Sequence, residues 1–248
     1  MPRLLFALLV SFVLPVSSAI AQTNSDLAAN VLVGERLASV LRAGRSVVAA
    51  NQELINDPAL GDKGLTSDAF LGEVAELYQS RWGEPPLANN PDNANLDLIV
   101  AQLAAMRTVI DENQDTINAP GVGFKGFIPA VFARLVNESF EVGVNSIATV
   151  KVTAPLDLVR NRKARPDEWE SKIIEDNFRS SAWEKGSPYY EYITSNDETI
   201  FRMIIPEYFT KSCLVCHGSP AGETDVTGFP KEGGAEGDLA GAISIILR

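Results

Sequence analysis

A gapless internal repeat constrains this chain more than any other feature. Arg45-Ser-Val-Val-Ala-Ala-Asn51-Gln52-Glu-Leu-Ile55-Asn56 matches Arg107-Thr-Val-Ile-Asp-Glu-Asn113-Gln114-Asp-Thr-Ile117-Asn118. The correspondence runs on through Pro58/Pro120, Gly61/Gly123, Lys63/Lys125, Gly64/Gly126 and Phe70/Phe132, every pair offset by 62 residues. A constant offset over such a span points to a duplicated helix-loop-helix unit. One reading is that the duplication only builds a bundle. The other gives the second copy, with its richer loop Gly123-Phe-Lys-Gly-Phe-Ile-Pro129, a specific job near a cofactor.

Apolar spacing places helices around both copies. Leu37, Leu41, Val48 and Ile55 recur at helical intervals within Ser25 to Asn56, and Asp57-Pro58 stops that helix. A second helix spans Ser67 to Trp82, with Phe70, Val74 and Leu77 on one face. After the turn cluster Asn89-Asn-Pro-Asp-Asn93, a third carries the stripe Leu96, Ile99, Leu103, Met106, Ile110 and Ile117. A fourth follows Pro129. Beyond Gly143 the texture changes. Ser146–Thr153 reads as a strand, Asp167–Phe178 as a short helix, and Tyr189–Thr194 with Thr199–Ile205 as a hairpin about Ser195-Asn-Asp197. Gly218 to Gly237 is a Gly/Pro-rich loop, and Ala240–Leu247 a final buried strand. The plan is α+β: an antiparallel sheet behind a helical N-terminal part.

Residues 1–21 read as a signal peptide. Arg3 is the positive start, Leu4 to Val16 the apolar run and Ala19-Ile-Ala21 the cleavage pattern. The run is too short to span a bilayer comfortably, and no later stretch approaches the roughly 20 apolar residues a span needs. The expectation is an exported, periplasmic protein that spans no membrane once cleaved. With 21 basic against 32 acidic residues, net −11, it is a poor partner for nucleic acid or an anionic membrane.

The chain has two cysteines and one histidine, and all three fall within Cys213-Leu-Val-Cys216-His217. C-x-x-C-H is the attachment sequence of c-type haem. Two thiols on one turn can add to the two vinyl groups of one haem, and the adjacent histidine becomes the axial ligand. The competitors are weaker. A thioredoxin-type pair opens a helix in a parallel βαβ setting, whereas this motif follows a hairpin. A zinc site needs four ligands, and a disulfide between residues this close is strained. Cofactor residues are therefore Cys213 and Cys216, with His217 on the iron. For the opposite iron face neither a second His nor a thiolate remains. Met106 is one candidate, and a vacant or water-bound position is favoured over it. Asn113, seven residues after Met106 on the same stripe, either only fixes helix register, or this helix covers the haem with Met106 or Asn113 facing the iron. Lys125, in its glycine-flanked loop, and Arg160 are candidates for the haem propionates, the alternative being that both are solvated charges.

From about Arg107 onward the chain resembles the Tll0287-like haem domain family. The resemblance is carried by Lys125-Gly-Phe-Ile-Pro-Ala-Val-Phe132, Arg160-Asn161, Ala164-Arg-Pro-Asp-Glu-Trp-Glu170, Pro206 to Gly218 around the haem motif, and Lys231-Glu-Gly-Gly-Ala-Glu-Gly-Asp-Leu-Ala-Gly-Ala-Ile-Ser-Ile245. It implies a PAS-like sensor fold with one covalent haem c over residues 91–248, behind a helical region at 22–90 that holds the first repeat copy. Similar proteins can place a cysteine from the N-terminal helices on the iron. This chain has none, and its Asn113-Gln114 segment occupies the comparable helix.

Three functions fit. The first is a haem-based sensor of redox state or of a small diatomic ligand, acting through a partner. The second is a soluble electron-transfer cytochrome whose acidic surface steers it to a basic redox partner. The third is a peroxidase-type enzyme, disfavoured because the second histidine for distal acid–base work is absent.

Overall fold

The computed structural model describes residues 16–88, 96–195 and 198–248. Most of the signal-peptide reading, the Asn89–Asn93 turn cluster and the tip of the 195–197 hairpin lie outside the described residues.

The repeat folds into four helical arms. The first copy gives α1 (Val16–Ala50), α2 (Gln52–Asn56) and α3 (Ser67–Trp82). The second gives α4 (Leu96–Glu112), α5 (Gln114–Ile117) and α6 (Pro129–Gly143). The two long helices expected to run through Asn56 and Ile117 are each interrupted at an equivalent asparagine. Asn51 Nδ2 donates to the Val47 carbonyl at 3.0 Å, and Asn113 Nδ2 to that of Val109 at 2.7 Å. A side chain that bonds to the preceding turn competes with the helix backbone and bends or breaks it. α1 packs on α3, α4 and α6, and α4 on α3 and α6. The expected stripe residues Leu37, Leu41, Val48, Ile55, Met106, Ile110 and Ile117 are all fully buried. Leu77 is not: it is 43% exposed, and Tyr78, four residues after Val74, fills the inward position.

Each copy latches onto the loop of the other. Gln52 Nε2 donates to the Phe127 carbonyl at 2.9 Å, and Gln114 Nε2 to that of Leu65 at 3.1 Å. Asn56 Oδ1 accepts from the Lys125 backbone N–H at 3.0 Å, and Asn118 Oδ1 from that of Lys63 at 2.9 Å. Gly64 and Gly126 both have a positive φ, +66° and +71°, at the same point of the two loops. The reciprocal bonds make the bundle pseudo-symmetric.

The C-terminal part is β1 (Ala148–Thr153), α7 (Glu168–Ile173) continuing as a π-helical turn Ile174–Phe178, β2 (Tyr189–Ser195), β3 (Glu198–Tyr208), the one-turn α8 (Leu214–His217) and β4 (Leu239–Leu247). The strands form an antiparallel sheet in the order β1-β4-β3-β2. β1 starts two residues later than expected because Asn145 and Ser146 turn with φ of 49° and 59°. β3 runs past Ile205 through Pro206, beyond the last β2 partner at Ile204. There β3 is an edge on that side, where proline is tolerated.

Alternation decides which side chain faces which layer. Phe201, Met203, Ile205, Ile243, Ile245 and Leu247 join the bundle core. Ile204 and Ala242 face the other way, under Ile173, Ile174 and Phe178. That outer layer is pinned by charge. Asp167 caps α7 in a capping box with Glu170. Arg202 reaches Asp167 at 2.7 Å, and Lys151 reaches Glu170 at 2.6 Å. The chain is thus α+β, and its N-terminal helices share one continuous core with the sheet. Among the described residues, no helix is long and apolar enough to cross a membrane.

The reciprocal latch predicts matched mutational effects. Asn56→Ala and Asn118→Ala each strand a lysine backbone N–H and should each cost about 1–3 kcal/mol in chemical denaturation. A cost confined to one copy would contradict the symmetric latch.

Candidate functional site

β3 delivers the chain to the motif. Phe209 pairs with the start of β4, its N–H donating to the Asp238 carbonyl and its carbonyl accepting from Gly237 N–H, both at 2.9 Å. A 3₁₀ turn, Lys211–Cys213, then runs into α8, so Cys213 and Cys216 lie on one short helical stretch. The turn ends on Gly218, where a Cβ would come within 2.5 Å of the Leu214 carbonyl oxygen. Only glycine fits there without a shift.

The glycine-rich loop then folds back on the motif. Gly234 N–H donates to the His217 carbonyl at 2.8 Å, and Gly233 N–H to that of Gly218 at 3.1 Å. A Cβ on Gly234 would meet the Phe209 ring at 2.6 Å, so the loop passes against that ring as bare backbone. The return sets Glu232 beside the histidine: Glu232 Oε2 lies 2.8 Å from His217 Nδ1. The imidazole also stacks on Phe209, with ring centroids 5.1 Å apart.

Arg160 braces this arrangement from outside. Its Nε and one terminal nitrogen hold both Glu232 oxygens at 2.7 and 2.9 Å. Its other terminal nitrogen holds Asp225 at 2.6 Å, while the nitrogen on Glu232 Oε2 also donates to the Cys216 carbonyl at 2.9 Å. The second Asp225 oxygen accepts from Thr227 N–H, Thr227 Oγ1 and Phe229 N–H.

Burial by itself would raise the pKa of Glu232, but hydrogen bonds from Arg160 and His217 outweigh it and hold the carboxyl below its ordinary value. The same contest at Asp225, with Thr227, Arg160 and Phe229 as donors, leaves that carboxyl well below the usual carboxylate range. Burial and then the Asp225 charge push the Cys216 thiol up. Glu232 is therefore an anion that can only accept. His217 must donate through Nδ1, and in the neutral ring this leaves the Nε2 lone pair free, as ligation of a metal requires.

The structure brings Cys213, Cys216 and His217 together with Arg160. It does not bring Lys125 to them: the Lys125 ammonium caps the Ile55 carbonyl inside the repeat latch. Met106 is fully buried in the bundle, where Gly44 of α1 lets its thioether approach: a Cβ at Gly44 would meet Met106 Sδ at 3.1 Å. Asn113 is half-buried at the α4–α5 break, bonded to its own helix. The second repeat copy is thus scaffold at these positions. Arg160 is at the site, with its guanidinium held by two carboxylates of the loop. Sequence reasoning missed Glu232, Asp225 and Phe209. Their partners lie 15, 65 and 8 residues away, at no spacing that a local motif describes. An open cleft of about 1030 Å³ is bordered by Phe178, Trp183, Tyr208, Gly234 and the two His217 partners Phe209 and Glu232; none of the motif residues 213–217 lines it.

A family model described as Tll0287-like matches residues 88–248, well over half of the chain, and the chain belongs to the Tll0287-like family. The match takes in only the second repeat copy, although the first is packed into the same core. No curated protein and no solved structure matches the chain.

Two outcomes follow from the geometry. Because the Asp225 carboxyl has a lower pKa folded than unfolded, its stabilising contribution is complete above about pH 4 and is lost on further acidification. Denaturation at neutral and acid pH should show a smaller acid loss in Asp225→Asn than in the parent. Met106→Ala should cost about 2–5 kcal/mol as a core cavity while leaving the environment of His217, read by NMR, unchanged.

Proposed function

We propose that this is an exported monohaem c-type protein. One haem c is held by thioethers at Cys213 and Cys216, with His217 Nε2 on the iron, and the protein works as a haem-based sensor of redox state or of a small diatomic ligand, through a partner protein. The observation that carries this reading is the Glu232–His217 pair, which frees Nε2 on the same helical stretch that presents both thiols. The residues suit the group. Both cysteines are free and partly exposed, and an open cleft borders Phe209 and Glu232, the two residues that hold the His217 ring. Covalent haem supplies an iron that changes valence and binds small ligands. The chain's own part is to orient the imidazole, hold the loop by Arg160 and brace the motif against β4.

Met106 and Met203 are both fully buried, Met106 beside Gly44 and Met203 beside Gly34. Neither is available as a sixth ligand without unpacking the core. This favours an open iron position, and so a sensor over a His/Met electron carrier. The acidic balance of the chain supports the carrier as second reading, since it would steer docking to a basic redox partner. Export to the periplasm rests on the leader-like first 21 residues.

Produced with haem maturation in a periplasm, the protein should show the mass of the processed chain plus one haem, with the leader gone. Cys216→Ala should keep a single thioether and shift the pyridine haemochrome band. A bare polypeptide mass under those conditions would contradict the proposal.

A further inference from the structure

We propose that Glu232 is a positioning residue that sets the electronic character of the axial histidine, and that Arg160 moderates it. The inference rests on the haem reading above and adds what controls the iron.

A histidine that binds a metal through one nitrogen is oriented by the hydrogen bond made by the other, and the partner's charge sets how strongly the ring donates. A neutral carbonyl fixes the ring and little more. Here the partner is a carboxylate, 2.8 Å from Nδ1. Its negative charge draws the Nδ1 proton outward and gives the imidazole part of the character of an imidazolate. A more basic imidazole stabilises ferric over ferrous iron. Arg160 binds both Glu232 oxygens and withdraws part of that charge, so the proton stays on the ring. Geometry fixes the pair from several directions. The Glu232 side chain is 18% exposed, the next two residues are tied by backbone bonds to Gly218 and His217, and Phe209 stacks on the ring. Asp225 holds the far side of Arg160, which keeps the guanidinium from swinging away with Glu232. Among the groups facing the histidine, this carboxylate is the one that bonds its ring.

Two readouts test the proposal, and they fail separately from the haem reading. In the full chain made without haem maturation, ¹⁵N NMR of the labelled imidazole, read on the neutral ring, should show the Nδ1–H tautomer. In Glu232→Leu the mixture should move to mainly Nε2–H. This result does not depend on haem. In the haem-loaded protein, Glu232→Gln keeps an acceptor but removes the charge. It should attach haem normally, shift the midpoint potential to more positive values and lower the Fe–His stretching frequency of the reduced state. Glu232→Asp, which keeps the charge but draws it back, should shift both in the same direction by less, and it serves if the Gln variant folds poorly. Unchanged potential and stretching frequency in variants that carry haem would overturn the role of Glu232 while leaving the haem reading intact. A wild-type ring in the Nε2–H form would overturn it as well. Failure of the wild type to attach haem would remove the haem reading and this inference with it.

Discussion

Arg160 divides one guanidinium between Glu232 and Asp225, two carboxylates of the same returning loop, and the backbone of Cys216. The rest of the site depends on that clamp. Without it Asp225 and Glu232, one fully and one partly buried, would lose their cationic partner, and breaking a buried ion pair costs about 3–5 kcal/mol. With it the loop closes, Gly234 bonds to His217 and Glu232 meets the imidazole. The carboxylate thereby fixes the ring and favours the Nδ1–H tautomer. Preorganisation of this kind comes from residues that never touch a metal.

The helical bundle supplies the platform. Its two halves grip each other's loops through paired Gln and Asn side chains, and α1 then reaches the sheet. Arg42 and Arg45 take one oxygen each of Glu207, at 2.6 and 2.8 Å, two residues before Phe209. The repeat therefore bears on the site through the end of β3, not through its second loop. A shift of α1 against the sheet would be felt at Glu207 and passed on to Phe209 and the motif. That is a physical link between the region outside the family match and the region inside it.

Elements with strong periodicity were legible from residue types alone. The buried stripes of α1 and α4, the hairpin and the last strand stand where apolar spacing puts them. The breaks at Asn51 and Asn113 were not, because a side chain bonding to its own helix leaves the apolar period intact. Lys125 and Met106 stood as open candidates for a related reason. A lysine in a glycine-flanked loop and a methionine on an apolar stripe suit a cofactor rim and a packed core equally well, and only the partner copy of the repeat decides between them. At the site, Cys213, Cys216 and His217 are contiguous and were readable as a motif. Glu232 and Asp225 were not, since a returning loop, and no sequence period, brings them in.

The proposed function needs a haem iron held by His217 with its opposite face open. The visible spectrum of the purified protein, oxidised and reduced, with and without CO, tests this most directly. The account predicts a haem c spectrum that CO changes in the reduced protein. A six-coordinate low-spin spectrum in both states that CO leaves untouched would contradict the open site, and the absence of any haem absorption from matured protein would contradict the account as a whole.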